Sequence, residues 1–181
     1  DCKKGSWKNL YHQQEWIDMK YSPVPLFHLL KPGQYASGCI QATRGCPYRC
    51  DYCDIPVKYG SGPRSKPIDQ VLKEIRILSE IGYDSAFIVD DNFAGDKSYA
   101  KALLKAIAAL LPSLPTRMYF YTQATLDVAA DDELLELLKA ASFLRLFTVS
   151  YTHLRAHETV LDLVCRLLLE KKKRHKQQYN N

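Results

Sequence analysis

The residues best suited to chemistry are three cysteines, Cys46, Cys50 and Cys53, which are separated by three and by two residues. Gly45 and Pro47 flank the first of them and indicate a tight loop. Three thiolates on one loop can each ligate a different iron of a cubic iron–sulfur cluster and leave the fourth iron open. The spacing therefore predicts a [4Fe-4S] site.

A zinc site in a cysteine-rich structural or interaction module is the alternative interpretation of this loop. Structural zinc takes four ligands, commonly from two Cys-x2-Cys pairs. Cys39 lies seven residues before Cys46 in an apolar, strand-like segment, and we expect it to be a small buried side chain rather than a fourth ligand. Cys2 and Cys165 are likewise expected to take no part, so the iron–sulfur interpretation is favoured.

The composition of the whole chain excludes several classes of protein. Its 181 residues, 46% of them apolar, suffice for one domain with a buried core. No stretch is apolar for the ~20 residues of a membrane span, and no signal-peptide pattern is present. Six cysteines, three of them at ligand spacing, indicate a reducing compartment, so we expect a cytoplasmic protein without a membrane span.

The positive charge of the chain is concentrated at its C-terminal end. The net charge is +5, but the residues after position 148 include seven basic and three acidic ones, which leaves residues 1–148 with a net charge of +1. Because the body of the chain is nearly neutral, we expect no nucleic-acid partner.

Apolar periodicity after the cysteine loop predicts helices that alternate with strands. One helix follows Pro67 and stops at Gly82, a second is capped by Asp96, and a third opens at Asp131. The predicted strands are residues 39–43, 86–89, 118–122 and 143–147. This alternation with apolar strands, the second of them covered on both faces, predicts a parallel sheet, wound as a barrel or open.

Polar residues gather where the predicted strands end. Asp90, Asp91 and Asn92 follow the second strand, and Gln123 and Thr125 follow the third. In parallel barrels, functional groups collect at the C-terminal ends of the strands. The alternative is ordinary turn chemistry before a helix, which Asp and Asn favour. Paired acids directly after an apolar strand favour a binding site.

These segments together resemble the radical S-adenosylmethionine (SAM) superfamily, in its branch associated with a cobalamin-binding domain. The similarity covers roughly residues 22–147 and rests most specifically on the cysteine motif, with the aromatic Tyr52 before its last cysteine. The other matching segments are residues 25–27, 41–55, 89–93 and 131–135.

The resemblance implies an α/β fold, a partial (βα)6 barrel of TIM-like type that here ends after about the fourth strand. It implies that Cys46, Cys50 and Cys53 bind the cluster, with SAM on the open iron. An electron passed to SAM would release a 5′-deoxyadenosyl radical, which abstracts hydrogen from an unknown small-molecule substrate, in cobalamin-dependent methylation or related chemistry. An external electron donor of flavodoxin or ferredoxin type would be needed.

The same resemblance suggests which residues contact SAM, although it assigns no catalytic residue. Superfamily members carry a Gly-Gly-Glu stretch after the second strand that helps hold the SAM amino group, and this chain has two acids there. An ammonium group favours a nearby carboxylate. Tyr52 matches the residue that meets the adenine. The SAM-binding residues expected on this basis are Tyr52, Asp90, Asp91, Asn92, Gln123 and Thr125.

Three segments are expected along the chain: a lead-in over residues 1–37, an incomplete radical SAM core over 38–148, and a non-native tail over 149–181. The tail resembles a translated sequencing-library adapter, with a lysine run typical of an A-rich read end. An amphipathic pattern over residues 158–170 is still compatible with a helix. We expect a longer parent protein, whose cobalamin-binding domain lies outside this chain.

Resequencing the locus with an independent library method tests the origin of the tail. We expect the codons after residue 148 to differ, because an adapter is not part of the gene. Recovery of the same codons through residue 170 would show that the tail is native.

Overall fold

The computed structural model describes residue 5 and residues 15–31, 33–148 and 163–166. The main sheet contains the strands β1 (Gly38–Ile40), β4 (Ser85–Ile88), β5 (Tyr119–Ala124), β6 (Phe143–Thr148) and β7 (Leu163–Arg166), while β2 (Thr43–Arg44) and β3 (Arg64–Ser65) form a separate antiparallel pair. The α-helices are α1 (Ile55–Tyr59), α2 (Ile68–Glu80), α3 (Lys97–Leu110) and α4 (Asp132–Ala140). Short 3₁₀ helices cover Met19–Tyr21, Phe27–Leu29, Leu111–Ser113 and Leu126–Ala130.

The strands β1, β4, β5 and β6 lie side by side in chain order, and all are parallel. Right-handed crossovers between strands in sequential order place every connecting helix on the same face of the sheet. Accordingly, α3 packs against both α2 and α4. This is the winding of a βα-barrel wall, and it confirms the predicted partial barrel. None of the described helices is long and apolar enough to cross a membrane.

The core lies between the sheet and this layer of helices. Side chains that are almost completely buried come from both sides: Ile40, Ile88 and Phe120 from the strands, and Ile75, Leu78, Leu103, Leu104, Ile107, Leu134 and Leu138 from the helices. Because side chains alternate along a strand, the other residues point to the opposite face of the sheet. That face carries an aromatic cluster.

The aromatic cluster consists of Phe87, Tyr121 and Phe147. The ring of Phe87 stacks on Tyr121 with centroids 5.1 Å apart and meets Phe147 edge-on at 6.0 Å. These three residues are only half-buried, so the prediction that the second strand is covered on both faces is wrong for the described residues. Cys39, paired with Phe87 in the sheet, is exposed rather than buried, because no described helix packs over this face.

Capping residues and a glycine mark the predicted ends of three helices. The side chain of Asp96 accepts a hydrogen bond from the Tyr99 backbone N–H at the start of α3, and Asp131 does the same for Leu134 in α4. Gly82 follows the end of α2 with a φ of 94°, a conformation that favours glycine.

The strand boundaries differ from the predictions by one to three residues. The first strand, predicted over residues 39–43, ends at Ile40, and Thr43 belongs to the separate pair of β2 and β3. β5 continues through Ala124, because its pairing with β6 continues to that residue, so Gln123 belongs to the strand. The residues of β7 form a strand rather than a helix, since the edge of β6 offers backbone hydrogen bonds that a local pattern does not reveal. The rest of the predicted tail, residues 149–162 and 167–181, lies outside the described residues, and its origin stays a prediction.

Candidate functional site

A cavity of about 350 Å³ lies where the strand ends meet the cysteine loop. Its wall contains all three cysteines of the motif, Cys46, Cys50 and Cys53. The structure also brings five of the six residues expected to contact SAM to this cavity: Tyr52, Asp91, Asn92, Gln123 and Thr125. Segments more than 70 residues apart in the chain therefore form one site, as the ends of parallel strands in sequential order require.

The entry to the cysteine loop depends on a glycine. Gly45 has a φ of 99°, and a Cβ atom added there would lie 2.6 Å from the Gly62 carbonyl oxygen. The Gly62 N–H in turn donates to the Cys46 carbonyl at 3.2 Å. Only glycine allows the chain to turn so close to its neighbour and direct Cys46 towards the cavity.

The cysteine side chains lie at the border between protein and solvent. All three are half-buried, and the Asn92 amide donates to the Cys46 sulfur over 4.0 Å. Burial raises the pKa of the Cys46 thiol. Among the described residues, no three His, Cys, Asp or Glu side chains are grouped around one metal-ion position. The three sulfur atoms therefore line one cavity without converging on a single-ion position.

Polar side chains join the ends of β4 and β5 at the cavity wall. The Asn92 amide donates to the Thr125 hydroxyl at 3.3 Å, and its oxygen accepts from the Thr125 backbone N–H at 3.4 Å. The Gln123 amide donates to the Asp90 carbonyl at 2.8 Å. These bonds hold neighbouring strand ends at a fixed separation, so the wall of the cavity is pre-formed.

The two adjacent acids after β4 have different surroundings. Asp91 lines the cavity, and one of its carboxylate oxygens accepts the Gly45 N–H at 2.7 Å. Asp90 is fully buried, and its carboxylate accepts the Ala42 N–H at 2.7 Å and the Thr43 hydroxyl at 2.8 Å. Asp90 does not line the cavity, which corrects its predicted contact with SAM. The two acids therefore face different surroundings, one in the core and one at the cavity.

The sequence model of the Radical SAM superfamily matches residues 40–173. The chain belongs to the radical SAM superfamily. It is 38% identical over 142 residues to an uncharacterized methyltransferase of Synechocystis sp., covering 78% of this chain and 26% of that protein. It is 34% identical over 148 residues to the hopanoid C-2 methylase of Rhodopseudomonas palustris, covering 81% of this chain and 28% of that protein.

A solved structure shares the fold of this radical SAM chain. The radical SAM methyltransferase TsrM from Kitasatospora setae, with cobalamin and a [4Fe-4S] cluster bound, aligns with a TM-score of 0.59 and 26% identity. The alignment covers 66% of this chain and 21% of TsrM. The chain thus spans about a quarter of the length of these relatives. The resemblance to the cobalamin-associated branch is confirmed.

Two residues of this radical SAM site have no signal in the sequence. Tyr48, inside the cysteine motif, lines the cavity, and, against the effect of burial, its hydroxyl helps to lower the pKa of the Asp127 carboxyl. Asp127 also pairs with Lys97 at 3.0 Å and accepts a hydrogen bond from Thr125. The interaction between Tyr48 and Asp127 places the cysteine loop near the segment after β5. Because Tyr48 and Asp127 are 79 residues apart, only the folded chain reveals it.

The buried carboxylate of Asp90 has a measurable consequence for stability. Burial, opposed by the hydrogen bonds from Thr43 and Ala42, raises its pKa from 3.8 to about 6. Between these two values the folded chain holds the proton more tightly than the unfolded chain. The contribution of Asp90 to stability is therefore fully present below pH 3.8 and is lost as the pH rises through about 6.

Replacing Asp90 with Asn should remove this pH dependence, because an amide accepts from Ala42 and donates to Thr43 without a charge. Relative to the Asn variant, the parent should lose up to about 3 kcal/mol of unfolding free energy between pH 4 and 7, at about 1.4 kcal/mol per pKa unit. Urea unfolding of both proteins across this range measures the difference. Parallel pH profiles for the two proteins would contradict the assignment.

Proposed function

We propose that this chain carries the cluster- and SAM-binding part of a radical SAM enzyme that methylates a small-molecule substrate in a cobalamin-dependent reaction. The observation that carries the proposal is the single cavity in which the three cysteines meet the polar ends of β4 and β5. Its relatives include methyltransferases, and the TsrM structure contains both cobalamin and a [4Fe-4S] cluster. Because the chain spans about a quarter of these proteins, the reaction of the whole enzyme is part of the proposal.

The donor set suits an iron–sulfur cluster. Cys46, Cys50 and Cys53 offer three soft sulfur ligands on one cavity wall, and each would bind its own iron. A structural zinc ion instead requires four ligands around one point. The described residues offer no such group, so no observation favours the zinc-binding module. Burial raises the pKa of the Cys46 thiol, which favours its protonated form in the absence of a metal.

The remaining cavity residues suit SAM. Asp91 presents a carboxylate that can accept a hydrogen bond from the SAM ammonium group, and Asn92, Gln123 and Thr125 add neutral polar groups beside it. Tyr52 is 62% exposed at the mouth, where its ring can cover the adenine. When bound, the cluster would supply one electron for the reductive cleavage of SAM, and SAM would supply the radical or the methyl group that is transferred.

The proposed enzyme also requires an electron donor and a reducing compartment. Reduction of such a cluster needs an external one-electron donor of flavodoxin or ferredoxin type. Free cysteines at ligand spacing need reducing conditions, which supports a cytoplasmic location.

Serine substitutions test the cluster ligands. Replacing Cys46, Cys50 or Cys53 with Ser should abolish the full cluster, because a hard hydroxyl replaces a soft thiolate. Iron and acid-labile sulfide are measured after anaerobic reconstitution, with Cys39→Ser as the matched control, since Cys39 is exposed and lies outside the cavity. A full cluster in Cys50→Ser, or zinc without sulfide in the parent, would overturn the assignment.

Neutralising Asp91 tests the SAM contact. Asp91→Asn should weaken SAM binding about 10- to 150-fold, since a hydrogen bond to a charged group contributes ~1.5–3 kcal/mol. The amide oxygen can still accept the Gly45 N–H, so the loop is preserved. Equilibrium binding of SAM to the reconstituted chain measures the effect. Asp90→Asn is the control and should bind SAM like the parent; equal affinity in Asp91→Asn would place the ammonium elsewhere.

A further inference from the structure

The four residues before the first cysteine are held by the two acids at the end of β4. Asp90 binds the Ala42 N–H and the Thr43 hydroxyl, and Asp91 binds the Gly45 N–H, all at 2.7–2.8 Å. These bonds join residues 46 to 48 positions apart in the chain. Turn residues bond to their own local backbone, so these bonds are tertiary and exclude simple turn chemistry.

A second buried group holds the same segment from its carbonyl side. The Lys66 N–H donates to the Ala42 carbonyl at 2.8 Å, and the Lys66 carbonyl accepts the Tyr99 hydroxyl at 2.6 Å. The Lys66 ammonium pairs with Glu74 at 2.8 Å, with side chains only 5% and 0% exposed. Residue 42 is therefore fixed at its N–H by Asp90 and at its carbonyl by Lys66.

Burial of the Asp90 carboxylate in this arrangement lowers the stability of the folded chain. A fully buried carboxylate without a paired cation is destabilising, and several hydrogen bonds offset only part of that cost. No described Lys or Arg forms a salt bridge with Asp90. The hydrogen bonds of its carboxylate go to the segment that leads directly into the cysteine loop.

We infer that Asp90 and Asp91 are positioning residues that fix residues 42–45 and so hold Cys46 in its ligating position before the cluster binds. Asp90 acts only through the loop, whereas Asp91 both holds Gly45 and faces the cavity. A displacement of residues 42–45 moves the first sulfur relative to the other two, and cluster assembly needs all three. The role in assembly rests on the proposed function; the ordering of the loop does not.

The test compares Asp90→Ala, which removes both hydrogen bonds, with Asp90→Asn, which retains them without the charge. Ser79→Ala is the matched control: Ser79 is 1% exposed and makes two 3.0 Å hydrogen bonds to the Thr116 backbone, away from the cysteine loop. Thr43→Val removes only one of the two bonds and keeps the side-chain shape, which serves if Asp90→Ala fails to fold.

Two readouts are measured on the whole 181-residue chain. In the metal-free chain, backbone amides of residues 42–45 should exchange about 10- to 150-fold faster in Asp90→Ala, since the lost bond from the Ala42 N–H to a charged group is worth ~1.5–3 kcal/mol. After anaerobic reconstitution, the same variant should lose most of its iron, sulfide and reduced-cluster electron paramagnetic resonance signal. Thr43→Val should show a smaller change in the same direction.

The outcomes separate the possible roles. Recovery of slow exchange and full cluster content in Asp90→Asn, with Ser79→Ala equal to the parent in both, supports the positioning role. Equal effects of Asp90→Ala and Ser79→Ala would overturn it, because the loss would then reflect general destabilisation. A parent chain that takes up no iron or sulfide would overturn the proposed function instead, and the exchange rates would still decide whether Asp90 orders the loop.

Discussion

The buried carboxylate of Asp90 connects the two parts of the molecule on which the site depends. It follows β4 and binds the segment between β1 and the cysteine loop, so it ties the exit of one parallel strand to the exit of its neighbour. Buried hydrogen bonds of this kind are expensive to leave unmade. A shift of these strands relative to each other would therefore expose the carboxylate or remove its hydrogen-bond partners. For this reason the sheet fixes the position of the cysteine loop.

The sequential order of the parallel strands explains why one cavity contains residues from such distant parts of the chain. Each βα unit returns its strand in the same direction, so polar residues after β4 and β5 meet the cysteine loop at one edge. The helices cover one face of the sheet, and the aromatic cluster lies on the other. Phe147 belongs both to this cluster and to the cavity wall, which links that face to the cofactor site.

Membership of the radical SAM superfamily indicates which chemistry this cavity would support. The three cysteines and the Asp91 carboxylate line the same cavity, which supports the proposal that a cluster and its co-substrate bind there. Asp91 accepts the hydrogen bond from the Gly45 N–H and also faces the cavity in which we propose that SAM binds.

The sequence by itself determined the cysteine motif, the alternating helices and strands, and the helix caps at Asp96 and Asp131, because each depends on neighbouring residues. Only the tertiary structure decided that Asp90 faces inward, that Cys39 is exposed, and that Tyr48 lies near Asp127. The amino-acid pattern shows that two acids follow an apolar strand, but not which one faces the ligand. That choice depends on hydrogen-bond partners more than 40 positions away in the chain, which local spacing does not encode.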